Sequence, residues 1–265
     1  MPPSAVMGQR KPSVIKTFLE EKTILFNGPD FIKSDPISIP HLFSKKEDIE
    51  IAGFLTATIA WGQRPSILKN ASRLMDLMHG HPHDFILNFS NDDLESFQQF
   101  VHRTFNGTDC IYFLKGLQHI YLNHGGLEKA FLSGLEKDHT DLRQAIIQCR
   151  KIFFGLPHLK RTEKHFSNPD EGSAAKRINM FLRWMVRADH CGVDFGLWKS
   201  ISPSLLSCPL DVHSGRVARK LGILKRRQND WKATRELTES LRKFDPGDPV
   251  KYDYALFGLG VFEKF

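Results

Sequence analysis

The segment "CPLDVHSGRVARKLG", residues 208–222, sets Cys208, Pro209, Leu210 and Asp211 directly ahead of a stretch carrying Arg216, Arg219 and Lys220. Proline restricts the residue before it to extended geometry, and aspartate is a favoured N-cap because its carboxylate accepts hydrogen bonds from free backbone amides of the first turn. A helix is therefore predicted to start at Asp211 and to be ended by Gly222. A carboxylate at the mouth of a basic helix has two readings, an ordinary cap or half of an active site.

The surroundings of this helix are strongly cationic. From His213 to Lys243 there are ten Lys and Arg against three acidic residues, an excess equal to the net charge of +7 carried by all 265 residues. Such clustering suits a polyanion, because neutralising phosphates releases counterions and raises affinity; a solvated helix surface is the alternative. The apolar fraction of 41% is enough for one compact globular unit, while no apolar run approaches the ~18 residues of a membrane span. The opening "MPPSAVMGQRKP" carries positive charge with no apolar stretch behind it, so neither a secretory signal nor a transit peptide is predicted, and the cytoplasm is the expected compartment. Four cysteines at 110, 149, 191 and 208 form no C-x-x-C pair; reduced thiols with packing roles are expected, without zinc or an iron–sulfur cluster.

Nearly every apolar pattern has the helical period, and no convincing series of strands is present. Ser44 and Glu47 read as a capping box before a helix with Ile51, Leu55, Thr58 and Ile59 on one face. "WGQR" breaks the pattern, and Pro65 opens the next helix, so two helices meet at Gln63. Further helices are predicted from Thr108 or Asp109 to the Gly125–Gly126 pair, from Thr140 to Gly155, and from Ser173 to about Arg187, with Lys176 in the first turn of the last. Between them, 156–172 reads as a long loop or irregular hairpin. The final helices are predicted near Asn229 and at Asp248, the latter carrying "DPVKYDYALFGLG". The cluster "HGHPHD" offers His79, His81, His83 and Asp84 as metal ligands, but no second cluster with ligand spacing accompanies it, and a solvated loop is the preferred reading; no metal site is expected.

Taken together, these segments resemble the helix-hairpin-helix DNA glycosylases. "PLDVHSGRVARKLG" is similar to the family's Pro-Val-Asp-x-His-Val segment; "FLTATIAWGQRPSILKNASRLM" resembles the early helix pair with its Gln-containing turn; "DCIYFLKGLQHIYLNHGGLEKAF" resembles the helix ending in Gly-Gly-Leu of 8-oxoguanine glycosylases; "KYDYALFGLGVF" is similar to the closing helix. The pieces arrive in family order over about residues 48–262, most like a bacterial branch near the archaeal 8-oxoguanine glycosylases. The pattern departs in two places. "GLPHLKRTEKHFSNPDEGSAAKRIN" stands where the family carries a Gly-rich hairpin, which puts backbone docking onto phosphate in doubt. The chain also stops where cluster-bearing relatives continue into cysteines, so the resemblance implies no cofactor.

The resemblance implies an all-α, two-lobed fold, with a central lobe over 45–190, a second lobe from 1–44 plus 191–265, and the active cleft between them. It implies that Lys176 is the nucleophile that forms a Schiff base with the sugar, made easier to deprotonate by a neighbouring cation such as Arg177, and that Asp211 is the catalytic carboxylate. A surface lysine and a simple cap are the respective alternatives. Gln63, flanked by Trp61 and Arg64, is implied as the wedge that fills the gap left by a flipped nucleotide, against a polar turn residue. Trp61, Trp184, Trp198 and Trp231 could stack a base, or belong to the core. His213 could contact phosphate or orient Asp211, and Arg216, Arg219 and Lys220 are a candidate phosphate-binding group. The implied function is base-excision repair of an oxidised purine such as 8-oxoguanine, with abasic-site lyase activity, by a monomer acting on damaged duplex DNA. A non-catalytic protein that recognises distorted DNA on the same scaffold is the alternative.

Overall fold

The computed structural model describes residues 11–265. Its α-helices are α1 (Pro12–Phe26), α2 (Pro29–Ile32), α3 (Lys46–Thr58), α4 (Arg64–Leu77), α5 (Pro82–Asn88), α6 (Gly107–His124), α7 (Leu127–Leu132), α8 (Arg143–Phe153), α9 (Lys176–Val186), α10 (Val212–Lys220), α11 (Trp231–Arg242) and α12 (Asp253–Val261). Extended pairing among the described residues is confined to a small antiparallel hairpin, β1 (Val101–His102) with β2 (Phe105–Asn106), and one isolated bridge between Ser173 and Asp230. The protein is all-α, as the helical period predicts. Among the described residues no helix is long and apolar enough to cross a membrane.

Several helix ends differ from the expected ones for local reasons. The Ser44–Glu47 capping box does not form: α3 starts at Lys46 with Lys45 in the cap position and no side-chain cap. α6 begins earlier than predicted because Asn106 and Asp109 make the reciprocal box, each side chain accepting from the other's backbone amide. α8 starts at Arg143 rather than Thr140, and α9 at Lys176 rather than Ser173. The stretch between them is not structureless, since it contains 3-10 turns at Lys160–His165 and Pro169–Glu171.

Apolar burial gathers into two clusters. The larger draws on α3 to α9 and also takes in Ile37, Trp198, Leu206, Trp231, Val250 and Tyr254. Phe54 of α3 is central to it, with the rings of Phe113, Phe153, Phe166 and Phe181 all around it. α3 is buried along almost its whole length, which accounts for its weak amphipathic pattern. The smaller cluster joins Ile15 and Leu19 of α1 to Leu210, Val217, Leu237, Leu256 and Leu259. Two glycines let α12 pack closely there: a Cβ at Gly258 would collide with the ring of Phe26, and one at Gly260 would come 3.0 Å from His213 Cβ. All four cysteines are free; Cys110, Cys149 and Cys208 are buried and Cys191 is exposed.

Candidate active site

Lys176 is the first residue of α9, and the turn before it is tightly held. Ala175 adopts left-handed geometry with φ 47°, a conformation that strains any residue with a Cβ. The turn is fixed from several sides: Ala175 N donates to Ser173 Oγ, Asn179 Nδ2 and Thr234 Oγ1 both donate to Ala174 O, and Trp231 N donates to Gly172 O. The 156–175 stretch and the start of α11 thus aim Lys176 jointly.

Asp211 is the N-cap of α10, as predicted. Its Oδ1 accepts from His213 N at 2.8 Å and Ser214 N at 2.9 Å, while Ser214 Oγ accepts from Asp211 N at 2.9 Å. Oδ2 is left to face Lys176 Nζ at 3.9 Å, with both side chains about a quarter exposed. Asn229 Nδ2 donates to Asp211 O, and Arg219 Nη2 in turn donates to Asn229 Oδ1 at 2.6 Å. Arg219 therefore acts on Asp211 through Asn229.

The amine and the carboxylate line one cavity of about 650 Å³, together with Asp35, Trp61, Arg64, Arg183, His213, Asp253 and Phe257. That volume lies within the usual range for a small-molecule site. Its lining draws on helices of both apolar clusters, α9 from the larger and α10 and α12 from the smaller. Asp253 is buried against Arg183, whose guanidinium donates to both Asp253 and Asp194. Burial pushes the Asp253 carboxyl up to about 6, against the opposing pull of Arg183. Asp35 is raised too, again by burial, partly offset by the Ile37 amide.

The other sequence candidates fall into groups. Trp61 and His213 line the cavity; Trp61 lies under the Arg177 guanidinium at 4.6 Å and stacks on His165 at 5.7 Å. Gln63 is exposed, at the cap position of α4 and without a side-chain cap bond. Arg177 also lines the cavity but is half-buried: its guanidinium donates to Thr58 O and covers Trp61, and burial lowers its pKa to about 10. Arg64 turns inward onto the Phe257 ring at 4.9 Å. Trp184 and Trp198 do not reach the cavity; both are fully buried in the core, and Trp198 Nε1 donates to Glu50 Oε1 at 2.6 Å. Trp231 is also core. The Trp184 indole faces inward because α9 buries nearly its whole circumference.

The basic segment divides in a similar way. Arg216 donates to Gly260 O, Arg219 to Arg226 O, and Lys220 lies 4.7 Å from the Phe265 ring. Lys225, Arg227, Lys232 and Arg235 are exposed, and their side chains make no hydrogen bond or ion pair among the described residues. His79, His81, His83 and Asp84 do not converge as a ligand set; His83 Nδ1 instead meets Lys45 Nζ at 2.9 Å.

Sequence reasoning missed Asp35, Arg183 and Asp253, whose partners are distant in the chain, and Arg103. The last sits at the tip of the hairpin with φ 56°, its guanidinium against Gly62 beside Gln63. A hairpin with a non-glycine in left-handed geometry has no apolar period to reveal it.

The family model described as "Protein of unknown function (DUF2400)" matches residues 35–262, and the chain belongs to that family. The matched span contains every residue of the cavity lining except Phe31. No curated protein and no solved structure matches the chain.

Proposed function

We propose that this member of the DUF2400 family is a DNA glycosylase with abasic-site lyase activity, acting on an oxidised purine such as 8-oxoguanine in duplex DNA. The observation that supports this reading is the 3.9 Å approach of Lys176 Nζ to Asp211 Oδ2 at the wall of a cavity of about 650 Å³. An enzyme that works on a base within a duplex must extrude it into such a pocket.

The chemistry follows from the two groups. Lys176 passes a proton to Asp211, and its nitrogen lone pair attacks C1′ of the flipped nucleotide. The glycosidic bond breaks, and the base leaves with its electron pair and takes the proton from Asp211, which thereby returns to its carboxylate form. Charge building on the sugar is stabilised by the Asp211 carboxylate. Asp211 carries a proton from Nζ to O4′ as the C1′–O4′ bond opens, and a Schiff base remains between Nζ and C1′. Loss of a C2′ proton then expels the 3′-phosphate, and water releases the lysine.

On this reading the helices form a two-lobed helix-hairpin-helix glycosylase-like fold, with 45–190 as one lobe and 1–44 plus 191–265 as the other. Residues 1–10 of the second lobe lie outside the described residues. The protein works as a monomer on damaged duplex DNA in the nucleoid of the cytoplasm, needs no cofactor, and meets the backbone through Lys225, Arg227, Lys232 and Arg235. Borohydride should trap a covalent adduct on duplexes containing 8-oxoguanine or an abasic site, and Lys176→Ala should abolish it. Binding without trapping or base release, across a panel of lesions, overturns the enzyme reading in favour of a non-catalytic DNA-binding scaffold.

A further inference from the structure

Arg64 and Asp35 stand in the same cavity as the amine and the carboxylate, in an arrangement that folded proteins seldom keep. Arg64 Nη2 is buried and has no hydrogen-bond partner. Its nearest anion, Asp35 Oδ2, is 3.7 Å away, beyond hydrogen-bond length. Asp35 is 6% exposed, and its other oxygen already accepts from Ile37 N at 3.1 Å. A buried donor is thus held beside a carboxylate without closing a hydrogen bond to it, and leaving such a donor unmatched costs on the order of 1–3 kcal/mol. The arginine also has contacts with rings and a hydroxyl at the cavity wall. Its guanidinium is packed 4.9 Å from Phe257 and 5.7 Å from Phe262, and its Nη1 contacts Ser34 Oγ at 3.5 Å.

We propose that Arg64 and Asp35 are specificity-determining residues, reading a nucleobase edge on which an acceptor atom adjoins an N–H donor. The inference rests on the cavity being a base pocket. Arg64 donates to the acceptor, a carbonyl oxygen in guanine-type and uracil-type rings, and Asp35 accepts from the neighbouring N–H. Charge-assisted bonds of this kind are about twice as strong as neutral ones. Flat rings of Phe31, Trp61 and Phe257 line the same cavity and supply faces for the base. A base whose edge N–H is methylated leaves Asp35 unpaired and is rejected. Sites built to hydrogen-bond a group discriminate against its absence far more strongly than apolar sites do.

The test measures base release in single-turnover assays and borohydride trapping on an abasic duplex in parallel, for the wild type, Arg64→Met and Asp35→Asn. Duplexes carry 8-oxoguanine, hypoxanthine or uracil, which separates the possible sources of the edge. An abasic site has no base to read, so the quantity of interest is the ratio of release to trapping. That ratio is expected to fall about 100-fold in both variants on the preferred duplex. Asparagine can still accept from Ile37 N, so a folding failure of the arginine variant leaves the aspartate variant to decide. A ratio within about threefold of wild type in the folded variants overturns the proposal. Absence of wild-type trapping and release defeats the enzyme reading instead. Equilibrium dialysis with free guanine and 1-methylguanine then decides: a preference for guanine that Asp35→Asn removes supports the edge-reading pair, and equal binding sinks it.

Discussion

Lys176 meets Asp211 at the one carboxylate oxygen that capping leaves free, because Oδ1 is taken up by the amides of His213 and Ser214. Folding and chemistry are therefore separable at this residue. Asparagine caps as well as aspartate, so Asp211→Asn should keep its urea midpoint, whereas Asp211→Ala should lose about 1 kcal/mol. Trapping on an abasic duplex should fall by roughly 10²–10³ in both, the size found when one charge-stabilising group is removed. Wild-type trapping by the asparagine variant would reduce Asp211 to a cap.

The left-handed Ala175 gives a second separation. Glycine there relieves about 1 kcal/mol of backbone strain. It also forfeits a buried methyl worth about 0.8 kcal/mol, since Ala175 is 1% exposed. Ala175→Gly should thus melt within a few degrees of wild type. Its trapping rate should drop about tenfold, because Lys176 follows directly and small misplacements slow reactions steeply. An unchanged rate would mean that the turn does not aim the lysine.

Asp253 makes stability depend on pH in a particular direction. Its folded value of about 6 lies above the ordinary 3.8, so the folded protein holds that proton more tightly than the unfolded chain does. The ionised form is what burial disfavours, and wild-type stability relative to Asp253→Asn should decline as pH rises from about 4 through 6, then level off. His165 runs the other way. Burial lowers it from 6.5 to about 4, so its contribution is intact above 6.5 and is lost as pH falls toward 4. The difference between wild type and Asp253→Asn in urea melts, taken pH by pH, isolates the aspartate. A difference that grows in favour of wild type across 4 to 6 would contradict the assignment.

The basic segment should show two kinds of cationic side chain. Removing Lys225, Arg227, Lys232 and Arg235 together should weaken duplex binding alike for all sequences. The slope of log affinity against log salt should shrink by about 0.9 for each phosphate that is no longer neutralised. Arg219→Ala should instead lower stability by about 1–2 kcal/mol, because its bonds go to Arg226 O and Asn229 Oδ1. Filter binding across a salt series and a urea melt distinguish the two.

The elements most legible in the sequence were those set by neighbours. Pro209 and Asp211 located the start of α10, Pro65 the start of α4, and the Gly125–Gly126 pair the end of α6. Periodicity found α6 and α8 as helices, but could not distinguish a stacking indole from a core one; Trp184 belongs to a helix buried on nearly every side. Ser44 and Glu47 had the spacing of a capping box, yet α3 takes Lys45 as its cap residue. Nor could local pattern reveal the polar lining of the cavity. Arg183 and Asp253 are 70 positions apart, and Arg64 meets Asp35 across the intervening α3.

The cysteines carry a practical consequence. Three thiols lie inside the protein, where burial holds them protonated and unreactive, and the fourth, Cys191, is on the outside. A maleimide dye or spin label should therefore couple at a single position without any engineering. That position falls in the connection between α9 and α10, the two helices that deliver Lys176 and Asp211.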